Sequence, residues 1–134
     1  MSLMDDASVR EFLDGKLFAV CGASERRQKY GNQIFQALCR SGRVAIPLNP
    51  VADQVEGCPA YRSLEQIPKC PESVCLVTPP LVTLTFVQEA IELGVRSLWV
   101  QPGAQHPKAG QLARDAGINL IDDGRCILVA LSEL

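Results

Sequence analysis

The sequence predicts an α/β fold, a Rossmann-like three-layer sandwich around a mainly parallel sheet of five or six strands. Three observations carry that expectation. Short, uninterrupted apolar runs recur along the chain, as strands buried on both faces require. Stretches with a single apolar stripe at helical spacing separate them. Three times, a helical stretch ends at a glycine that leads straight into a strand: at residues 42–48, 94–100 and 117–121. Glycine supplies the left-handed turn that closes a helix. Strand and helix alternating in this way pack helices on both faces of a parallel sheet.

The elements follow in order. Residues 5–13 read as a short helix capped by Asp5 or Asp6, with Val9, Phe12 and Leu13 on one face. Residues 17–21 form an apolar strand that ends at Gly22. After a polar stretch, a helix over about 31–41 turns Ile34, Phe35, Leu38 and Cys39 inward. The strand within 42–48 follows. Signals weaken between 51 and 71, where a short strand near 57–61 and one helical turn at 64–67 are expected. A strand at 73–77 precedes a helix over about 82–93 with Leu84, Val87 and Ile91 in one stripe. Pro107 suits the first turn of a last helix, over 107–116. The first strand is expected in the sheet interior, and Val20, Ile46, Leu76 and Leu98 in the core.

The whole chain, 1–134, reads as a single domain, without a linker or low-complexity segment. Hydrophobic residues make up 47% and charged residues 21%, the balance of a globular core. A net charge of −2 gives no footprint for nucleic acid or a membrane surface. No apolar run approaches the roughly 20 residues needed to span a bilayer. The N-terminus lacks the basic region and apolar core of a signal peptide, so a cytoplasmic location is expected. There are six cysteines, none spaced C-x-x-C, and one histidine, which argues against a metal site. Cys21, Cys39 and Cys75 lie in apolar stretches and read as buried free thiols.

In an open parallel sheet, ligands bind beyond the C-terminal strand ends. Those ends are Gly22, Ala23 and Ser24; Asn49 and Pro50; Thr78, Pro79 and Pro80; and Gln101, Pro102 and Gly103. They favour close backbone approach and neutral hydrogen bonding over acid–base chemistry. The first loop, 22–31, leads into a helix N-terminus, whose free N–H groups and dipole attract an anion. Arg26, Arg27 and Lys29 add three cations, suited to a phosphate or pyrophosphate. The dinucleotide fingerprint G-x-G-x-x-G and the Walker pattern are both absent. The second strand ends in Asn49 and Pro50 where an NAD site would place an acid, and Asp53 comes three residues late, which argues against NAD.

Seven motifs then appear in order: Gly22-Ala-Ser24; Lys29-Tyr-Gly31; Pro47-Leu-Asn-Pro50; Glu56-Gly57 with Tyr61-Arg-Ser-Leu64; Thr78-Pro-Pro80; Trp99-Val-Gln-Pro-Gly103; and Cys126-Ile-Leu-Val129. Together they resemble the small stand-alone CoA-binding proteins, which are similar to the N-terminal CoA-binding domain of the succinyl-CoA synthetase α-subunit. The resemblance runs from about residue 9 to 129. It implies a Rossmann-type fold that binds coenzyme A, or an acyl-CoA, across the strand ends. On this resemblance Gly22, Ala23 and Ser24 meet the phosphates with Lys29, Asn49 and Pro50 line the cleft with Thr78, Pro79 and Pro80, and Gln101 closes the far side. Arg26 and Arg27 add cations suited to a ligand with both a pyrophosphate and a 3′-phosphate. One departure is the run Asp122, Asp123, Gly124, Arg125 before Cys126.

No catalytic set is legible. The synthetase relatives use a phosphorylated histidine in a second domain, and the one histidine here, His106, opens a helix. One imidazole without a partner makes no Ser/His/Asp triad. Asp122 and Asp123 read as a solvated strand end, Cys126 as structural and Trp99 as core. The expected function is non-catalytic binding of coenzyme A, a small-molecule partner, with no metal, nucleic acid or membrane. The alternatives are an NAD(P)-binding redox sensor or oxidoreductase, and a subunit that completes an acyl-CoA synthetase in trans.

Overall fold

The computed structural model describes residues 2–134. Seven strands form, β1 (Phe18–Cys21), β2 (Ala45–Leu48), β3 (Gln54–Val55), β4 (Cys58–Pro59), β5 (Ser73–Leu76), β6 (Ser97–Val100) and β7 (Asn119–Ile121). The helices are α1 (Ala7–Leu13), α2 (Tyr30–Arg40), α3 (Pro80–Leu93), α4 (Pro107–Asp115) and α5 (Ile127–Ser132), preceded by a 3₁₀ turn at Leu3–Asp5. Five strands make one all-parallel sheet in the order β2-β1-β5-β6-β7, which places β1 in the interior as expected.

The weak stretch after β2 resolves into a hairpin and one further residue. Glu56 and Gly57 both have positive φ, 50° and 79°, between the paired residues Val55 and Cys58. A two-residue hairpin turn with both centres left-handed matches the twist of its strands. Tyr61 then bridges Leu48 in parallel, its N–H donating to the Pro47 carbonyl and its own carbonyl accepting from Asn49 N–H. It is a one-residue remnant of a sixth strand, and with it the order becomes that of a doubly wound nucleotide-binding sheet. Pro47 is tolerated because its carbonyl, and hence its missing N–H, faces this nearly open edge. The expected helical turn at 64–67 is a hydrogen-bonded turn, with Leu64 and Ile67 buried.

Period-two alternation splits the core into two. Val20, Cys75, Trp99 and Ile121 are in register across the sheet and pack under α1, α2 and α5. Ala19, Val74, Leu98, Cys21, Leu76 and Val100 pack under α3 and α4. Trp99 is fully buried, edge-on to Phe12 at 5.4 Å, and its Nε1–H donates to the Arg125 carbonyl at 3.0 Å. Ile46 is only half-buried because β2 lies near the edge.

Cys39 corrects the sequence reading. It is exposed, because the buried stripe of α2 runs through Ile34, Phe35 and Leu38, and position 39 falls just past it. Cys21 and Cys75 are buried thiols, and burial pushes both pKa values up. Helix α5 was not expected. Its buried Ile127, Ala130 and Leu131 join the core on the α2 face.

Candidate functional site

Chain order fixes where a ligand can lie. From β1 the chain passes to β2 on one side, and from β5 it passes to β6 on the other. The loops after β1 and β5 therefore diverge to opposite faces and leave a crevice between them. Helix α2 starts at one wall and α3 at the other. Neither has a side-chain cap: Lys29 precedes α2 and Pro79 precedes α3. The first-turn amides of both helices are thus left for a ligand, and both dipoles present positive ends.

Gly22 makes the floor. Its φ is +91°, and a Cβ there would overlap the Val77 carbonyl, so only glycine lets the β1 and β5 loops approach this closely. On the α3 side lies an apolar cleft of about 710 Å³. Gly22, Asn49, Pro50, Thr78 and Pro79 line it, as expected from the strand ends, with Leu48, Arg62, Leu81, Val82, Thr85, Phe86 and Glu89. Leu81 is 73% exposed at its rim. Toward β6, a depression lined by Val77, Thr78, Gln101, Pro102 and Gly103 leads to a notch of about 160 Å³ between Tyr30, Gln101 and Cys126.

The expected residues divide into those that face a ligand and those that hold the crevice open. Asn49 belongs to the second group. Its Nδ2 donates to the Ala23 carbonyl at 2.8 Å, and its Oδ1 accepts from Val51 and Ala52 N–H at 2.8 and 2.7 Å. Ser24 Oγ accepts from Arg26 N–H, closing its own loop. The Thr78 hydroxyl is tied to the buried Thr83 hydroxyl at 2.6 Å. Gln101 is 95% buried, since only 5% of its surface is exposed, and its Oε1 accepts from Ile127 N–H at 2.7 Å, capping α5. Pro80 is exposed at the first position of α3, and Ala23 is buried behind Gly22.

The three cations also divide. Arg26 and Lys29 extend from the exposed first loop. Arg27 forms a two-point ion pair with Glu56, both contacts at 3.2 Å. Hydrogen bonds from Asn32 and then Arg27 hold the Glu56 carboxyl below its ordinary pKa. Sequence reasoning missed Arg62, whose guanidinium donates to the Asn49, Ala52 and Val51 carbonyls and to Asp53. It also missed the apolar rim on α3.

Residues 16–132 match the CoA binding domain family, and the chain belongs to that family. A conserved hypothetical protein from Pyrococcus furiosus is 37% identical, with a TM-score of 0.79 over 89% of this chain and 99% of that one. A hypothetical protein from Pyrococcus horikoshii OT3 is 28% identical, with a TM-score of 0.90 over 100% of this chain and 96% of that one. The dinucleotide-forming acetyl-coenzyme A synthetase 1 of Ca. Korarchaeum cryptofilum shares the fold, at 23% identity and a TM-score of 0.69, over 80% of this chain and 25% of that one. Among the described residues no helix is long and apolar enough to cross a membrane, and no cluster of His, Cys, Asp and Glu is placed to hold a metal.

Proposed function

We propose that this chain binds coenzyme A, or an acyl-CoA, across the ends of β1, β2, β5 and β6, and that it does so as a binding module without chemistry of its own. The observation that carries this reading is the convergence of two helix N-termini, both without side-chain caps, on a glycine floor beside Arg26 and Lys29. There the pyrophosphate meets backbone amides and cations together. The apolar cleft beside it suits the uncharged part of the ligand, and the family membership supports the ligand class.

The non-catalytic part rests on what surrounds the crevice. The His106 Nδ1 accepts from Lys108 N–H at 3.1 Å and serves as a helix cap. Cys126 Sγ accepts from the Gln101 amide at 3.3 Å. The NAD reading needs a carboxylate facing the ribose after β2, and there Asn49 is turned inward onto the Ala23 carbonyl.

The test is a thermal melt with equal concentrations of CoA and NAD, beside native mass spectrometry of the purified protein for carried-over ligand. A ligand that binds only the folded state stabilises it by about 2.7 kcal/mol at 100 times its dissociation constant. A raised midpoint with CoA and not with NAD is expected. Equal shifts would point to a generic adenine-nucleotide site, and a shift with NAD alone would replace this reading.

A further inference from the structure

Asp53 and Glu56, which follow β2, each pair with an arginine, Asp53 in the open and Glu56 largely buried. Asp53 Oδ1 accepts from Arg62 Nη2 at 2.8 Å. Glu56, at the turn of the β3–β4 hairpin, accepts from Arg27 Nε and Nη2 and from Asn32 Nδ2 at 3.0 Å. The same Asn32 amide donates to the Ser24 carbonyl at 2.8 Å, which ties the pair to the loop that floors the crevice. Glu56 sits at φ +50°, a left-handed conformation that a non-glycine residue keeps only where its surroundings hold it. Its side chain is 20% exposed, while that of Arg27 is 77% exposed.

The geometry of the pair leaves work for the arginine. Glu56 occupies the Nε side of the guanidinium. The opposite edge, with two parallel N–H groups from Nη1 and Nη2, has no partner among the described residues. Such a fork matches a phosphate.

We propose that Arg27, held by Glu56, reads the 3′-phosphate of coenzyme A and so sets the preference for a phosphorylated ribose, with Glu56 as its positioning residue. This rests on the CoA reading above. In doubly wound folds an acid after the second strand takes the hydroxyls of a bare ribose, and an arginine takes its place when the ribose carries a phosphate. Here Glu56 is masked and the outward group of its pair is the guanidinium. The Glu56 carboxylate is also engaged by Asn32, and the exposed Arg26 and Lys29 stand in the same loop as Arg27. A bare ribose offers only hydroxyls, on which the charged fork gains little.

Titration calorimetry with CoA and dephospho-CoA tests this on the wild-type protein and on Arg27→Ala, Arg27→Lys and Glu56→Gln. The wild type is expected to prefer CoA by at least about tenfold, the scale of one charge-assisted hydrogen bond. Arg27→Ala is expected to remove most of that preference while dephospho-CoA affinity stays within about twofold, and Arg27→Lys to keep part of it. Glu56→Gln is expected to lose part, because the arginine is no longer fixed. Equal wild-type affinity for both ligands, or an equal loss for both in Arg27→Ala, overturns the proposal. Wild-type selectivity in Glu56→Gln overturns the positioning role. A wild type that binds neither ligand overturns the CoA reading itself, a result distinct from equal binding.

Discussion

The carbonyl of Gly22 occupies the space where a Cβ on residue 31 would stand. Such a Cβ would overlap its oxygen, lie 2.9 Å from its carbon and stand 3.2 Å from the Ala23 Cα. The start of α2 is therefore seated flush on the end of β1, which aims the first-turn amides of the helix along the crevice floor. Gly31→Ala must push helix and strand apart, and both are backbone. A loss of about 1–3 kcal/mol is expected from such overpacking, with weaker CoA binding. Gln33→Ala, on the exposed face of the same helix, should stay within about 0.5 kcal/mol. Urea midpoints for the two variants decide it, and equal midpoints would remove the packing argument.

That contact explains what could be read from the sequence and what could not. Two-sided apolar strands and glycine-ended helices were legible because periodicity and helix closure are local properties. The strand ends were legible because topology alone puts the crevice there. Gly31 was visible as a residue, but its contact with Gly22 depends on how α2 docks, and the nine-residue separation matches no nucleotide-binding fingerprint. The hairpin was missed because Glu56 holds a position where asparagine or aspartate would have signalled the turn. Helix α5 was missed because six residues give too little period to separate helix from strand. Arg27 with Glu56, and Arg62 over the 49–53 loop, join residues 29 and 9 to 13 positions apart through tertiary placement alone.

Lys29 and Arg43 are both basic but should fail differently. Lys29 stands at the entrance of α2 without a capping contact of its own side chain. Arg43 Nε donates to the Leu13 carbonyl at 3.0 Å, its Nη1 donates to Ser41 Oγ, and its guanidinium lies 5.9 Å from the Phe18 ring centre. Lys29→Ala is expected to weaken CoA binding by about 10- to 150-fold with little change in stability, the loss shrinking as salt rises. Arg43→Ala should lower the melting midpoint and leave affinity near wild type. Calorimetry and melting on both variants separate the roles, and equal affinities would mean that backbone amides alone hold the phosphates.

Acid should loosen the join between the N-terminus and the loop after β7. Arg125 donates to Asp6 at 2.8 Å and to Asp123 at 2.9 Å. These hydrogen bonds hold both carboxyls below the ordinary aspartate value of 3.8. A carboxyl whose folded pKa is depressed stabilises the fold above its unfolded pKa, and that contribution is lost as pH falls through the folded value. Arg125→Gln should therefore be less stable than wild type at neutral pH, and the gap should narrow as pH falls below the ordinary aspartate value. A gap that stays constant down to pH 2 would show that the pair contributes no pH-dependent stability.

Gln101 is the residue whose loss should be felt furthest from itself. It lies at the end of β6, nearly fully buried, and both ends of its amide are engaged: Oε1 accepts from Ile127 N–H at 2.7 Å, and Nε2 donates to Cys126 Sγ at 3.3 Å. Helix α5 has no cap from its own preceding side chain, so this amide takes that part across 26 residues. Gln101→Met keeps similar volume and leaves the Ile127 N–H buried without an acceptor, which costs about 1–3 kcal/mol. Because α5 joins the core on the α2 face and Cys126 walls the notch beside the crevice, the loss should concentrate there. Faster amide exchange at Ile127 and faster alkylation of Cys126, resolved by peptide mass spectrometry from the exposed Cys39 and Cys70, are expected while exchange in β1 and β5 stays slow. Unchanged exchange at Ile127 would mean that α5 is held by its apolar face alone.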